Sequence, residues 1–491
     1  MNKNRKLIKS FFKSRSVSGR TAALVNHQLG SFNDFIPHEK NDVSWMQRVV
    51  DGITVGAVEQ QAGQIRLELG DQEIIVKLGK ISLGTPRVHE ANGSASDATP
   101  MMARLRRLTY AAPIFLEFET YEDGILIDEK EACEIGTLPI MVKSIACNLH
   151  RHNLTGEGSG DVEYADALCE NKEDPQDPGG YFIINGTERV LVCLEDLAPN
   201  RVMVEYEERY QRRTELAKVF SQREGFRALT VVERKKDGIL NVSIPVASGQ
   251  VPLVVLMMAL GIDSADEIMQ NITGKEIMRN LILANIEEAH NAEGIFTTEE
   301  ARELLERRFA AGQSKEYREN RVNYILDNIL LPHLSTNPEA RKKKAVFLGR
   351  MAREVLELHL GERVPDDKDH YANKRLKLAG NLMEELFRSG LQALLNDLKY
   401  QLERSYLKRR EGKVHSSIRR DVLTNRIMHA MATGNWTGGR AGISQLLDRT
   451  CNMSTLSHLR RVISPLTRSQ PHFEARDLHS TQFGRLCPNE T

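Results

Sequence analysis

Residues 174–186 read DPQDPGGYFIING, and the chain continues as TERVLVCLED to residue 196. The Asp-Pro and Pro-Gly-Gly steps punctuate a turn. YFII is a short buried strand. Asn185-Gly186 is the pair that fits a type I′ hairpin turn, and TERVLVCLED returns as the second strand. The stretch is a well-specified hairpin and carries no activity by itself.

Other strands lie upstream. ITVGAV, QIRLELG, EIIVKLG, IFLEFETY and GILIDEK alternate or run apolar between residues 50 and 130, with Gly and Asp between them. The pair around Gln64–Gly79, split by LGDQE, predicts a hairpin. MMARLRRLTYAAP, from Met101, turns into a strand at its tail. Downstream, residues 203–245 alternate again (MVEYEE, FRALTVVER, LNVSIPV). From about 251 to 332 the apolar spacing becomes three to four, as in ARELLERRF at 301–309, and predicts helices. VPLVVLMMALGI, 251–262, is too short to cross a bilayer, which needs about 20 apolar residues. It reads as a buried helix or strand. Residues 337–361 predict a helix that stops at Gly361. The longest helical stripe joins Leu376, Met383, Phe387, Leu391, Leu394, Leu395, Leu398 and Leu402, with a break expected at Gly412.

At 491 residues, 41% hydrophobic and 27% charged, the chain is a soluble multidomain protein rather than a membrane protein. Seven Lys and Arg precede the first acidic residue, Asp34. Such a start is found in organelle transit peptides; a basic amphipathic helix with Leu7, Phe11 and Phe12 on one side is the preferred reading. The six cysteines, at 133, 147, 169, 193, 451 and 487, form no CxxC pair, which argues against a zinc knuckle and a disulfide framework. The formal net charge is zero, yet residues 401–491 hold 15 Lys and Arg against 7 Asp and Glu, about +8, and five His. A basic segment in an otherwise acidic chain is a candidate polyanion surface.

The sequence contains no Walker A, GxSxG or HExxH motif. DDKDH, 366–370, gathers three carboxylates and a histidine. It reads as a helix-capping, ion-paired loop rather than a site for Mg²⁺ or Mn²⁺. In the basic segment, TGNWTGGRAG (433–442) places four glycines around Trp436, where backbone can approach a ligand closely. In residues 443–465, Gln445, Arg449, His458, Arg460 and Arg461 offer the amide and guanidinium donors that suit phosphates and base edges. His458 alone would read as a satisfied buried histidine.

STLSHLRRVISP (454–465), preceded by GRAGISQLLDR (439–449) and followed by RDLHSTQFGRLCPNET (476–491), resembles the fork region of the second-largest subunit of multisubunit DNA-directed RNA polymerase. DPGGYFIINGTERVLVCLEDLAPNR (177–201), DDKDHYANKRLKLAG (366–380), ARLRRLTYAAPIFLEF (103–118) and SFNDFI (31–36) are similar to stretches of the same subunit, in the same order. The resemblance spans residue 21 onward. In relatives the CP-x-ETPEG motif runs on without a break, whereas this sequence stops inside it. The resemblance therefore implies the amino-terminal half of a split archaeal subunit, often called B double-prime; a truncated sequence is the rival explanation.

The fold implied is α+β and multidomain: a β-rich protrusion (1–202 and 337–400), an inserted lobe (203–336), and a mainly helical fork region (401–491). EGKVHSS, 411–417, falls where the first fork loop lies, and TGNWTGG, 433–439, matches the second, near downstream strand separation. Gln445, Asp448, His458 and Arg461 match the pocket that rifamycins occupy in bacterial relatives, beside the nascent RNA. Departures at Cys451–Met453 and Ile463–Pro465 keep drug sensitivity from being carried over. The candidates for nucleic-acid contact are Arg419, Arg420, Trp436, Arg440, Gln445, His458, Arg460, Arg461, Arg485 and Glu490.

No complete active site is expected. The resemblance puts the Mg²⁺-binding aspartates of this nucleotidyltransferase in another subunit, so this chain binds no cofactor itself. Expected partners are the largest subunit, the carboxy-terminal half of the second-largest subunit, the DNA template and the RNA transcript, in the cytoplasm and without a membrane. Two alternatives stand beside this reading. One is a free-standing nucleic-acid-binding or structural protein sharing the fold. The other is a metal-dependent hydrolase or transferase built on DDKDH.

Overall fold

The computed structural model describes residues 17–38, 43–55, 62–69, 72–90, 93–156, 160–209, 212–245, 249–292, 294–408, 413–465 and 477–487. The predicted basic helix around Leu7, Phe11 and Phe12 lies outside them, as does the expected break at Gly412. The architecture is α+β. No helix among the described residues is long and apolar enough to cross a membrane. The chain divides into two compact units. One holds the residues up to Asp196 and those from Leu376 through Pro465; the other holds Leu197–Arg375 and, near the end of the chain, 477–487.

In the first unit the opening motif folds as its turn chemistry dictates. Strands Phe182–Ile184 and Thr187–Leu191 pair antiparallel. Asn185 and Gly186 both take positive φ, 50° and 76°, as a type I′ turn requires. Tyr181 and the three residues of the first strand are fully buried. A third strand, Ser444–Leu446, pairs with Thr187–Leu191. Just beyond, Val462–Ile463 runs parallel to Cys193 and Leu194. Residues more than 250 positions apart thus complete one another's sheets.

A four-stranded antiparallel sheet forms the rest of this β structure, in the order Gln64–Leu69, Gln72–Leu83, Ala111–Glu122, Ile125–Pro139. Along its third strand Ala112, Ile114, Leu116, Phe118 and Thr120 alternate inward, the period-2 pattern of a half-buried strand. Helices Val17–Phe35 and Ala379–Leu407 pack into the same core, with Phe35 and Phe387 edge to face at 6.2 Å. The predicted stripe from Met383 to Leu402 is buried; Leu376 is not part of it. It sits on strand Lys374–Lys377, where the helical period does not apply, and is half exposed.

The second unit carries a meander of Val202–Arg209, Arg212–Arg223, Phe226–Arg234, Leu240–Ser243 and Gln250–Pro252, each strand antiparallel to the next. The apolar run at 251 ends the last strand and becomes helix Leu253–Ala259, every residue of it buried. Helix Arg341–His359 fills this second core through Ala345, Leu348, Met351, Ala352 and Val355. The named regions read from the sequence cut the chain differently, grouping 337–400 with residues 1–202.

A π-helical turn, Ile325–Ile329, precedes Leu331, which is left-handed at φ 46°, and Pro332, which has no N–H. The carbonyls of Leu326 and Asp327 are left without the usual helical donors. The fully buried Lys344 ammonium supplies them, at 2.9 and 2.6 Å. Burial pushes its pKa down to about 8.

The DDKDH loop is internally committed. Asp366 accepts the Val204 N–H at 2.9 Å and pairs with Arg363 at 2.8 Å. Asp367 accepts the Asp369 N–H and pairs with His479, and Asp369 pairs with Lys374. His370 caps the short helix that follows, accepting the Ala372 N–H at 3.0 Å. Among the described residues no three His, Cys, Asp or Glu form a group that could hold a metal ion.

Candidate nucleic-acid interface

The basic segment is built on the first unit. Helix Arg420–Thr433 ends at Gly434, whose φ of 79° supplies the left-handed cap. The glycine-rich loop follows. Trp436, one of the candidates for nucleic-acid contact, is buried at its base. The indole is 5% exposed, and its Nε1–H donates to the Leu382 carbonyl at 3.0 Å. An aromatic with one polar atom is worth more in a core with its donor satisfied than in water. The ring therefore anchors the loop.

Arg440, another candidate, is engaged within the fold. Its guanidinium reaches Glu385 at 3.0 Å and Asp196 at 3.4 Å, and Lys377 meets the same two carboxylates at 2.6 and 3.0 Å. Two cations and two anions thus neutralise each other with little exposure. Arg419 pairs with Asp397 and Arg420 with Glu134, though both guanidinium groups remain largely exposed.

Strand Ser444–Leu446 and helix Asn452–Leu459 bracket a tight turn around Asp448. The Asp448 carboxylate accepts from the hydroxyls of Ser454 and Thr450 and from the Thr450 N–H, which hold its pKa down to about 2. His458 reaches back into this turn. Its Nδ1 accepts the Asp448 N–H at 3.1 Å, so Nε2 carries the proton and donates to Gln445 Oε1 at 3.1 Å. Gln445 Nε2 in turn donates to the Gly442 carbonyl at 3.0 Å. Burial, then the positive charge of Arg461, pushes the His458 pKa below its usual value, keeping the imidazole neutral. His458 is thus a satisfied, 4% exposed histidine that fixes Gln445 and Asp448.

Arg460 and Arg461 leave the end of this helix and are exposed. Arg460 donates to the Leu24 carbonyl at 2.7 Å. Arg461 makes no ion pair among the described residues. Arg449 is spent on Glu188 at 2.6 Å and Asp177 at 2.8 Å, and lies over the Tyr181 ring at 4.8 Å. It clamps the segment to the opening hairpin. The sequence reading missed Gln28, whose buried amide donates to the carbonyls of Leu191 and Leu459 and accepts the Ala379 N–H. Only its place on the inner side of an otherwise apolar helix face hinted at this.

A family model described as "RNA polymerase beta subunit" matches residues 23–429, and one described as "RNA polymerase Rpb2, domain 3" matches 445–491. The chain belongs to the RNA polymerase beta subunit family. It is 45% identical to the DNA-directed RNA polymerase subunit Rpo2N of Methanococcus vannielii over 99% of this chain and 92% of that one. It is 47% identical to Rpo2N of Halobacterium salinarum, over 95% and 86%. Against subunit Rpo2 of Saccharolobus solfataricus it is 44% identical, over 99% of this chain and 40% of the relative. Its function is that of a DNA-directed RNA polymerase subunit, part of a nucleotidyltransferase. In this beta-family chain Gln445, His458, Arg460, Arg461 and Arg485 fall in the second matched span. Arg485 lies in the second unit, donating to the Thr481 carbonyl at 2.6 Å and resting over Tyr371 at 6.0 Å. Glu490 lies outside the described residues.

Proposed function

We propose that this chain is the amino-terminal half of the second-largest subunit of an archaeal RNA polymerase, the piece often called B double-prime. The observation that carries the reading is its identity to relatives named Rpo2N along nearly their whole length. On this reading its partners are the largest subunit and the carboxy-terminal half of its own subunit. The DNA template and RNA transcript complete the cytoplasmic complex. Residues 1–202 and 337–400 serve as protrusion, 203–336 as lobe and 401–491 as fork. This chain binds no cofactor itself; the Mg²⁺ of the two-metal reaction belongs to another subunit.

Within the fork, the nucleic-acid face narrows to Gln445, Arg460 and Arg461. The exposure of Arg461, with no carboxylate holding it among the described residues, supports this choice. Buried, neutral His458 acts through Gln445 and Asp448 rather than by touching a phosphate.

Purification of the tagged chain from its source cells, followed by mass spectrometry, tests the assembly. Recovery with a largest subunit and a carboxy-terminal half is expected; recovery alone overturns it. In the reconstituted enzyme Arg461→Ala should lower the slope of log affinity against log salt by about 1. An unchanged slope would remove Arg461 from the interface.

A further inference from the structure

Strand Ile125–Pro139 is the outer strand of the four-stranded sheet, so among the described residues one of its backbone edges has no strand beside it. The molecule covers the inner stretch of this strand itself. Helix Arg420–Thr433 lies against it, the Thr424 hydroxyl takes the Thr137 N–H at 3.0 Å, and Arg420 pairs with Glu134 at 2.7 Å. The outer stretch has no such cover among the described residues. There Ile125, Leu126 and Ile127 are 72%, 46% and 51% exposed. Side chains alternate along a strand, so this tip is apolar on both faces. Edge strands are normally blunted by brevity, proline or charge, and three consecutive aliphatic side chains do the opposite. The charge left unpaired on this stretch among the described residues is acidic. Glu131 is exposed and makes no ion pair among the described residues. The neighbouring cation, Lys130, is held by Glu119 at 3.5 Å.

We propose that this outer edge takes an extended, basic segment of another polypeptide with alternating apolar side chains, added as a further strand beside residues 125–133. Backbone hydrogen bonds along the free edge supply the hold and alternate side chains the selectivity. The apolar positions cover Ile125 and Ile127. A lysine or arginine meets Glu131 as Arg420 already meets Glu134 on the same strand. The acidic rim disfavours nucleic acid here.

The test mixes the full chain with a peptide alternating lysine and valine and follows amide hydrogen exchange. Exchange at 125–133 should slow by about tenfold or more at saturating peptide, with the 182–191 hairpin unchanged. Glu131→Lys, and Ile125→Ser combined with Ile127→Ser, should each abolish the protection. These side chains are exposed, and the hairpin amides report whether the fold is intact. Absence of protection overturns the proposal, as does equal protection by a peptide alternating glutamate and valine. Protection without peptide that grows with protein concentration would make the occupant a second copy of this chain, and also overturns it.

Discussion

Arg440 shows how a residue's surroundings decide between two roles open to the same side chain. In the sequence it is an arginine in a glycine-rich basic segment. In the fold it shares Asp196 and Glu385 with Lys377, and both carboxylates come from far along the chain. Arg440→Ala leaves one cation facing two buried carboxylates. A loss of about 3 kcal/mol in urea unfolding is expected; stability like that of the unaltered chain would return Arg440 to the surface. The histidines behave alike for a related reason. His27, His333 and His458 all have pKa values lowered from 6.5, with burial the first cause in each. His27 is also opposed by Arg460, His333 by Lys344 and His458 by Arg461. Below 6.5 the unfolded chain takes up these protons first, so the stability present above that pH is lost as pH falls through the folded values. The unfolding midpoint should drop on acidification, and His458→Gln should flatten part of the drop. No single-residue pattern announced this: a histidine beside two arginines reads equally as a phosphate contact.

Among secondary elements, the hairpins were legible because their signals are local. Asn185-Gly186 sets its own turn wherever the chain goes. Helix Ala379–Leu407 was legible from its stripe, but its crossing with helix Val17–Phe35 was not. Gly380 donates its N–H to Ser31 Oγ at 3.0 Å, and a Cβ there would collide with the Ser31 carbonyl oxygen. Gly380→Ala should therefore force the two helices apart and destabilise the first unit by about 2 kcal/mol or more, read as a lowered melting temperature. The π-helical turn was illegible, since its carbonyls are satisfied by a lysine on the next long helix. Lys344→Met keeps the apolar stem and removes both hydrogen bonds. Leaving two buried carbonyls unpaired should cost about 3 kcal/mol; a neutral substitution would mean that water or backbone replaces the ammonium.

Across the whole molecule, the family was readable because several long motifs occur in a fixed order. The sorting of the basic segment into structural and available cations was not. Arg419, Arg420, Arg440 and Arg449 are matched by carboxylates at 397, 134, 385 and 188, and charge counted along the chain cannot see such pairings. Closing the sheets also has a consequence in time. The strands at 182–197 are synthesised early, yet their partners at 444–446 and 462–463 follow more than 250 residues later. A ribosome must make Leu197–Arg375, the greater part of the second unit, before the first can close its sheets. Until then the inner faces of Ile183 and Val190 stay open to the solvent, to chaperones and to neighbouring nascent chains. Arrest of translation ahead of residue 444 should yield a protease-resistant Leu197–Arg375 segment attached to a protease-sensitive first unit.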